Sequence, residues 1–170
     1  MTETKQIMAV PTRLGQIGLG FAGGKVARLW LPGMSRADLD KAMRSWAPNT
    51  GFSKPPQDLA QRLGAYFDGA PVEFDDPVDL SALSAFQQRV LETLRKKVKR
   101  GRTVTYSQLA ALAGKPGAAR AVGSAMAKNP APLIIPCHRV VRTDGAMGGF
   151  SAPGGVEMKR AMLKLEGFYP

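Results

Sequence analysis

Short, mainly apolar runs open the chain, and glycine and proline separate them. Short runs of this kind, bounded by glycine and proline, are typical of β-strands. We expect Pro11 and the glycine turns to end these runs. The pattern predicts three strands, at Ile7–Val10, Gly15–Leu19 and Lys25–Leu31.

Two helices are predicted after these strands. Ser35 is placed to cap a helix over Arg36–Trp46. A pair of prolines precedes a second helix over Gln57–Phe67, and proline favours the first turn of a helix. Strands followed by helices indicate a small α/β domain in this half of the chain.

The charge of the chain changes at an acidic, proline-broken segment, residues 73–80. Residues 1–80 carry nine Lys and Arg against nine Asp and Glu, whereas residues 81–170 carry fifteen against four, so the net charge of +11 lies in the second half. We place a domain boundary here, between an α/β domain at 1–80 and a second domain at 81–170. A basic folded half-chain is typical of a surface that binds nucleic acid, although the run at 95–100 alone could be a solvated helix end.

The second half begins with helical periodicity through Leu83–Val98. Thr105 then starts a capping-box pattern for a short helix that Gly114 ends, and another helix is predicted from Pro116 to about Lys128. Two short helices joined by a tight turn have the spacing of a DNA-binding helix-turn-helix. Alanine-rich helix pairs also pack as plain hairpins, so this pattern alone does not decide.

One face of the helix at 116–128 carries almost no charge. Five residues gather on one side and should pack inward: Ala118, Ala121, Val122, Ala125 and Met126. Four gather on the opposite side: Arg120, Gly123, Ser124 and Ala127. Small side chains around a single arginine allow close approach to another surface, whereas the alternative is a short helix that happens to lack surface charge.

The only cysteine and the only histidine of the chain are neighbours, Cys137 and His138, in the sequence PCHRV. The pair interrupts a strand-like stretch, because the run at 133–135 before it is apolar and the residues at 140–141 after it are β-branched. A nucleophile beside a base that titrates near neutral pH suggests nucleophilic chemistry, but a small buried cysteine beside a hydrogen-bonded histidine is an equally ordinary interpretation. Glu166 follows a predicted last helix, Val156–Leu165, at the end where the helix dipole disfavours a carboxylate. We expect a partner such as histidine to hold it there, and the alternative is a solvated terminal glutamate.

Five segments of the second half closely resemble the O6-alkylguanine-DNA alkyltransferases, also called methylated-DNA–protein-cysteine methyltransferases. They are "FQQRVLETL", "TYSQLAALAGKPGAARAVGSAMAKNP", "IIPCHRVV", "GGFSAPGG" and "KRAMLKLEG", which occur in the family's order and cover most of residues 86–167. The N-terminal half agrees only in general form. The resemblance implies an α/β fold, in which a small N-terminal domain of ribonuclease-H-like topology precedes a mostly helical winged helix-turn-helix catalytic domain.

The resemblance also implies a role for each conspicuous residue of the second half. Cys137 would take the alkyl group from the O6 atom of guanine as a thiolate, so its neighbours should lower its pKa. His138 would act on it through a bound water, with Glu166 orienting the imidazole. Asn129 would hold the turn that shapes the site, and Tyr106 would donate a proton or hydrogen bond to the departing guanine.

For DNA, the resemblance implies that the damaged nucleotide leaves the duplex for a pocket and that Arg120 fills the vacated space. The small-residue helix face would approach the minor groove. Val140 and the loop Gly149-Phe150-Ser151 would line the base pocket, although some members carry tyrosine where Phe150 stands. Further DNA contacts are expected at Thr105, Ser107, Ala119, Gly123, Ser124, Ala127 and Lys128.

We therefore expect direct, irreversible repair of O6-alkylguanine in double-stranded DNA, extending to O4-alkylthymine if the pocket accepts it. The alternative is a non-catalytic helix-turn-helix protein that binds DNA or senses alkyl lesions and has a structural cysteine. One cysteine and one histidine cannot build a thiolate zinc site, so we expect no metal and no cofactor. We also expect a monomer with no signal peptide and no membrane partner, cytoplasmic at the nucleoid in a bacterium or nuclear in a eukaryote.

Overall fold

The computed structural model describes residues 3–168. The chain divides into two compact units, Met1–Asp79 and Leu80–Pro170. The division falls at the acidic segment where the charge of the chain changes. Within residues 3–168, no helix combines the length and the apolar character that crossing a membrane requires.

The N-terminal unit contains an antiparallel sheet with the strand order β1-β2-β3. The three predicted strands are present, as β1 at Lys5–Thr12, β2 at Gly15–Ala22 and β3 at Lys25–Trp30. The expected break at Pro11 is wrong, because β1 continues to Thr12. A strand at the edge of a sheet tolerates a residue that has no N–H donor.

Two helices complete this unit, α1 at Arg36–Trp46 and α2 at Gln57–Phe67, with the predicted bounds. The hydroxyl of Ser35 caps α1 by accepting a hydrogen bond from the backbone N–H of Asp38 at 3.1 Å. Leu39 of α1 packs so closely over Gly18 of β2 that a Cβ there would lie 2.8 Å from its Cδ1. The helix therefore buries its apolar side against a glycine in the sheet.

The C-terminal unit is mostly helical, as predicted. Its elements are α3 at Ala85–Lys97, β4 at Val104–Thr105, α4 at Tyr106–Leu112, α5 at Ala119–Ala127, a 3₁₀ turn at Cys137–Arg139, β5 at Val140–Val141 and α6 at Gly155–Leu165. The capping box at the start of α4 is confirmed, since the Thr105 hydroxyl accepts from the N–H of Gln108 and the Gln108 side chain accepts from the N–H of Thr105. Such reciprocal bonds satisfy two donors that the first turn of a helix leaves unpaired.

Two local predictions in this unit are wrong. The helix expected from Pro116 begins only at Ala119, because Gly117 has a left-handed φ of 84° and Ala118 is the N-cap. The apolar run before Cys137 is not a strand, since its backbone turns at Leu133, where φ is 80°. Left-handed residues cannot continue a helix or a strand.

A two-residue parallel pairing brings the helix pair to the cysteine. Val104 pairs with Val140 and Thr105 pairs with Val141. Because β4 leads directly into α4 and β5 follows the Cys137–Arg139 turn directly, this pairing places the start of α4 beside the cysteine. Residues 142–154, here called the pocket loop, then connect β5 to α6.

Candidate active site

Cys137 lies at the wall of a cavity of about 440 Å³, a volume within the range of small-molecule sites. Its side chain is nearly buried and forms no disulfide. The helix pair and the pocket loop supply the other lining residues: Tyr106, Gly123, Met126, Ala127, Gly149, Phe150 and Ser151. The cavity thus joins the single nucleophilic sulfur to the face of α5 that the sequence predicts to be bare.

Helix α5 has the two faces that the sequence predicts. Val122, Ala125 and Met126 are buried, whereas Arg120 and Ala127 are exposed. The inward residues Ala118 and Ala121 are only half-buried. A Cβ at Gly123 would meet no atom within 4 Å, so this glycine leaves the mouth of the cavity open.

Tyr106, the first residue of α4, is held against the pocket loop. Gly148 has a left-handed φ of 77°, and a Cβ at this position would lie 2.9 Å from the tyrosine hydroxyl oxygen. Burial raises the pKa of Tyr106 and a negative charge on Cys137 raises it further, while Arg142 lowers it. The tyrosine therefore keeps its proton at neutral pH and can act as a donor in the cavity.

His138 and Glu166 form a buried pair. Nε2 of His138 lies 2.7 Å from Oε1 of Glu166, and both side chains are fully enclosed. Arg139 binds the same carboxylate through two nitrogens, Nε to Oε2 at 2.9 Å and Nη2 to Oε1 at 3.0 Å. Its remaining Nη1 donates to the carbonyl oxygen of Val98 at 2.8 Å. Glu166 thus accepts from a histidine and an arginine together.

This arrangement fixes the protonation of the pair. Burial alone would raise the pKa of Glu166, but the hydrogen bonds and charges of His138 and Arg139 outweigh burial and hold that pKa well below its usual range. Burial lowers the pKa of His138, and the charges of Arg139 and Lys159 lower it further against the opposing effect of Glu166. The imidazole is therefore neutral, with its proton on the Nε2 that faces the carboxylate.

The other imidazole nitrogen is free to accept a proton. Within residues 3–168, Nδ1 of His138 is buried and has no hydrogen-bond partner. A neutral imidazole protonated at Nε2 carries a lone pair on Nδ1. His138 is therefore arranged as a base, next in sequence to the sulfur.

Asn129 holds the turn that leads to Cys137. Its Nδ2 donates to the carbonyl oxygen of Ile135 at 2.9 Å, and its Oδ1 accepts from the N–H of Ala131 at 3.1 Å. Burial raises the pKa of Cys137, while a hydrogen bond with Asn129 and the charge of Lys159 lower it. The neighbours thus lower this pKa as expected, but on balance it is raised, because the cost of burying a thiolate exceeds the stabilisation that they give.

Comparisons with known proteins assign the chain. Residues 85–168 match the family model described as the DNA-binding domain of 6-O-methylguanine DNA methyltransferase. A methylated-DNA–protein-cysteine methyltransferase of Mycolicibacterium paratuberculosis is 42% identical over 120 residues, which are 69% of this chain and 70% of the relative. This chain belongs to the methylated-DNA–protein-cysteine methyltransferase family. An archaeal member, from Methanothermobacter thermautotrophicus, is 42% identical over 119 residues, or 68% of this chain, but the match spans only 65% of that relative, less than two thirds of its length.

The fold of the family member agrees with a solved structure. The crystal structure of Mycobacterium tuberculosis OGT in complex with DNA superposes with a TM-score of 0.75 at 33% identity, over 95% of this chain and 93% of that chain. The predicted mixed α/β fold class is confirmed by this likeness.

The remaining residues that are predicted to contact DNA lie at the start of α4 and along α5. Thr105 is half-buried at the cap of α4, and Ser107 is exposed on its first turn. Ala119, Ser124 and Lys128 are half-buried or exposed on and just after α5. Their DNA contacts stay predictions.

Val140 departs from its predicted place. The structure buries its side chain fully, and it is not among the residues that line the cavity. Its carbonyl oxygen instead accepts a hydrogen bond from Nζ of Lys159 at 2.6 Å.

Two charged residues of the site were missed from the sequence, Arg139 and Lys159. Arg139 stands next to His138, but its contact with Glu166 spans 27 positions and is visible only in the fold. Lys159 carried a usable signal, because it precedes Met162 and Leu163 by three and four positions and so falls on the buried face of α6. A lysine is almost never fully buried on an apolar helix face unless it has a polar partner.

Metal ligands are not gathered at the site. Among residues 3–168, no group of three or more His, Cys, Asp or Glu side chains is placed to hold a metal ion. The described side chains at the site are a thiol, an imidazole, a phenol, a carboxylate, a fully buried ammonium and a partly buried guanidinium.

Proposed function

We propose that this chain repairs duplex DNA by transferring the alkyl group of O6-alkylguanine to Cys137, once and irreversibly. The observation that carries the proposal is the position of the sole cysteine, at the wall of a base-sized cavity and next to a neutral, carboxylate-held histidine. Membership of a family named for this reaction supports it. Because the matched region is only part of some relatives, the reaction is assigned here to this chain as a proposal.

The first chemical step is the loss of the thiol proton. Burial keeps Cys137 protonated at rest, so a base must take its proton as the sulfur attacks. Nδ1 of His138 is that base, acting through a water molecule, and Glu166 stabilises the imidazolium that forms. Asn129 keeps the sulfur in place by bonding the backbone on both sides of the turn.

The second step releases guanine. The new sulfur–carbon bond forms while the carbon–O6 bond breaks, and the electron pair of the broken bond stays with the purine. Tyr106 donates a proton or hydrogen bond to the purine, which lets it depart as a neutral base. The product on the protein is a thioether, whose neutral sulfur is a poor leaving group, so the transfer is not reversed.

The base reaches the cavity by leaving the duplex. The small face of α5 borders the cavity and supports close contact with the minor groove, with Arg120 entering the base stack. The M. tuberculosis relative crystallised in complex with DNA, which supports a DNA partner here. Residues of one unit line the cavity, and this favours a monomer as the active form.

Intact mass spectrometry after incubation with an O6-methylguanine duplex tests the proposal. We expect the protein to gain the mass of one methylene group, on the peptide that contains Cys137. Cys137→Ser should bind the duplex and stay unmodified. Absence of the gain in the wild-type protein, with DNA binding intact, would instead support a non-catalytic protein that binds DNA or senses lesions.

A further inference from the structure

Lys159 of α6 is a buried cation that the proposed reaction does not use. Its side chain is 0% exposed. Nζ donates to the carbonyl oxygens of Val140 at 2.6 Å, of Met147, and of Gly149 at 3.5 Å. Among residues 3–168, no carboxylate forms an ion pair with it.

A buried ammonium without an anion costs free energy. Carbonyl dipoles replace part of its hydration but leave its charge unbalanced. Burial lowers the pKa of Lys159 to about 8, while a negative charge on Cys137 raises it. At neutral pH the amine is therefore mostly protonated, and among residues 3–168 the anion that can balance its charge is a thiolate at Cys137.

The other charges near Lys159 are already balanced. Arg139 and Glu166 neutralise each other, and His138 is neutral. The charged residues of the pocket loop and of α6 itself pair with each other at the surface or are exposed: Arg142 with Asp144, Arg160 with Glu157, and Lys164. With a neutral thiol the buried group thus holds one excess positive charge, and with a thiolate it holds none.

The contacts of Lys159 also lead to the sulfur. Val140 lies three positions after Cys137, directly behind the turn that carries it. Gly149 lines the same cavity as Cys137, on the pocket loop. The ammonium therefore joins the segment that follows the Cys137 turn to the pocket loop that lines the same cavity as the sulfur.

We propose that Lys159 is the counter-ion of the Cys137 thiolate, a positioning residue whose positive charge stabilises the sulfur anion at the moment of attack. This inference rests on the proposed function, because that reaction is the one that needs the thiolate. It goes further by assigning the electrostatic stabilisation to α6 and not to a protonated histidine. His138 then removes the proton, and Lys159 stabilises the charge that remains.

The alternative is a purely structural role, in which the hydrogen bonds of Lys159 hold β5 and the pocket loop together and its charge has no effect on Cys137. Lys159→Met removes both the charge and the hydrogen bonds, whereas Lys159→Gln removes the charge and keeps an amide donor. The exposed Lys164→Met, on the same helix, is the matched control. If the role is structural, Lys159→Gln should retain it at least in part. If Lys159 is a counter-ion, Lys159→Gln should lose its effect on the thiolate.

Ultraviolet absorbance of the thiolate reports on Cys137 alone, because the chain has one cysteine and the curve of Cys137→Ser can be subtracted. We expect Lys159→Met and Lys159→Gln to raise the pKa of Cys137 by about one pH unit or more, and Lys164→Met to leave it unchanged. Their reaction with free O6-benzylguanine at neutral pH should slow by about tenfold. An unchanged thiol titration in Lys159→Met, or a wild-type titration in Lys159→Gln, would overturn the proposal.

A reciprocal measurement keeps the test independent of the folding of these variants. Coupling between two sites is mutual, so removal of the thiolate must change the titration of the amine. In Cys137→Ser, whose hydroxyl stays neutral, the pKa of Lys159 should be lower than in the wild-type protein, as read from the chemical shift of its ε-carbon. Equal titrations would refute the counter-ion role. Neither titration uses DNA, so the two hypotheses can be told apart. Failure of the titrations would refute the counter-ion role even if alkyl transfer is observed. Failure of the mass measurement would refute alkyl transfer even if the titrations shift as expected.

Discussion

Arg139 gives the histidine of this site a different charge balance from that of an ordinary Cys-His-carboxylate triad. A carboxylate facing only an imidazole favours the imidazolium. Here Arg139 occupies both oxygens of Glu166, so much of the carboxylate charge is already neutralised. His138 stays neutral, so in the proposed reaction it acts as a base, and the free energy of the thiolate depends on other groups.

Arg139→Met should shift the acid limb of the pH–rate profile, where the alkylation rate falls as the pH is lowered, to higher pH. The guanidinium lowers the pKa of His138, so its removal leaves the charge of Glu166 unopposed and raises that pKa. More of the imidazole is then protonated at neutral pH and cannot act as a base. The rate of alkylation by free O6-benzylguanine, measured against pH, should fall at a higher pH than in the wild-type protein.

The exposed Arg160→Met, which removes an arginine from a surface ion pair, is the control and should leave the limb in place. The chemical shifts of the sole histidine give its titration directly. If the histidine titrates at the same pH with and without Arg139, the charge-balance argument does not hold.

At this scale the sequence predicted part of the site. The uniqueness of Cys137 and His138 and the unfavourable helix-end position of Glu166 pointed to one cluster, which the fold assembles. The buried roles of Arg139 and Lys159 were not predicted, because both depend on contacts between distant segments. The sign of the Cys137 pKa was missed for the same reason, since burial is a property of the packed chain.

Among the elements, the pocket loop and α5 both line the cavity, and each contains glycines that affect its shape. Gly148 lets the hydroxyl of Tyr106 approach the loop backbone. Gly123 has no side chain, so it leaves open space where α5 borders the cavity. Gly123 therefore leaves part of the cavity open, and Gly148 acts on the cavity through Tyr106, which lines it.

Gly148→Ala should slow alkyl transfer, because the new methyl group would displace the Tyr106 hydroxyl. The backbone at this position is also left-handed, which strains any residue with a side chain. Gly145→Ala separates the two effects, since Gly145 has a φ of 84° on the same loop but its added methyl group would meet no atom within 4 Å.

We expect both glycine variants to lose about 1 kcal/mol of stability, and only Gly148→Ala to lose activity beyond that. Rates with free O6-benzylguanine and thermal unfolding of both variants provide the comparison. Equal loss of activity in the two variants would mean that backbone strain, and not the position of Tyr106, is responsible.

Arg120→Ala should slow repair in duplex DNA much more than reaction with free O6-benzylguanine. Arg120 is exposed on the small-residue face of α5, so it can enter a base stack but does not line the cavity. The free base needs no extrusion and should react at nearly the wild-type rate. Equal loss on both substrates would assign Arg120 a structural role.

Helices were predicted more accurately than the segments around the cysteine. The bounds of α1 and α2 and the capping box of α4 depend on neighbouring residues in the sequence, so local patterns predict them. The late start of α5 and the turn at Leu133 depend on single left-handed residues. Strands of two residues, such as β4 and β5, are too short for any periodicity to reveal.

For the whole molecule, the uneven charge predicts a salt-dependent and largely sequence-independent affinity for DNA. The second half carries the entire excess of +11, and most of these cations must meet phosphates. Affinity for an unmodified duplex should fall roughly tenfold or more between about 50 and about 200 mM salt. Fluorescence anisotropy across this range, with two unrelated duplex sequences, measures both properties.

Cys137→Ala is the matched variant for this measurement, because it removes the acceptor and leaves the net charge unchanged. It should bind with the same affinity and the same dependence on salt as the wild-type protein. Affinity that does not change with salt would contradict the charge argument, and loss of binding in Cys137→Ala would mean that the cysteine is structural.

In the proposed reaction Cys137 accepts one alkyl group and keeps it. Titration of a known amount of protein with excess O6-methylguanine duplex tests this stoichiometry, by counting the lesions repaired and the alkylated protein formed. We expect one lesion repaired for each protein molecule, a matching gain at Cys137, and no further repair on longer incubation. Repair of several equivalents by one molecule, or repair that leaves Cys137 unmodified, would contradict this expectation.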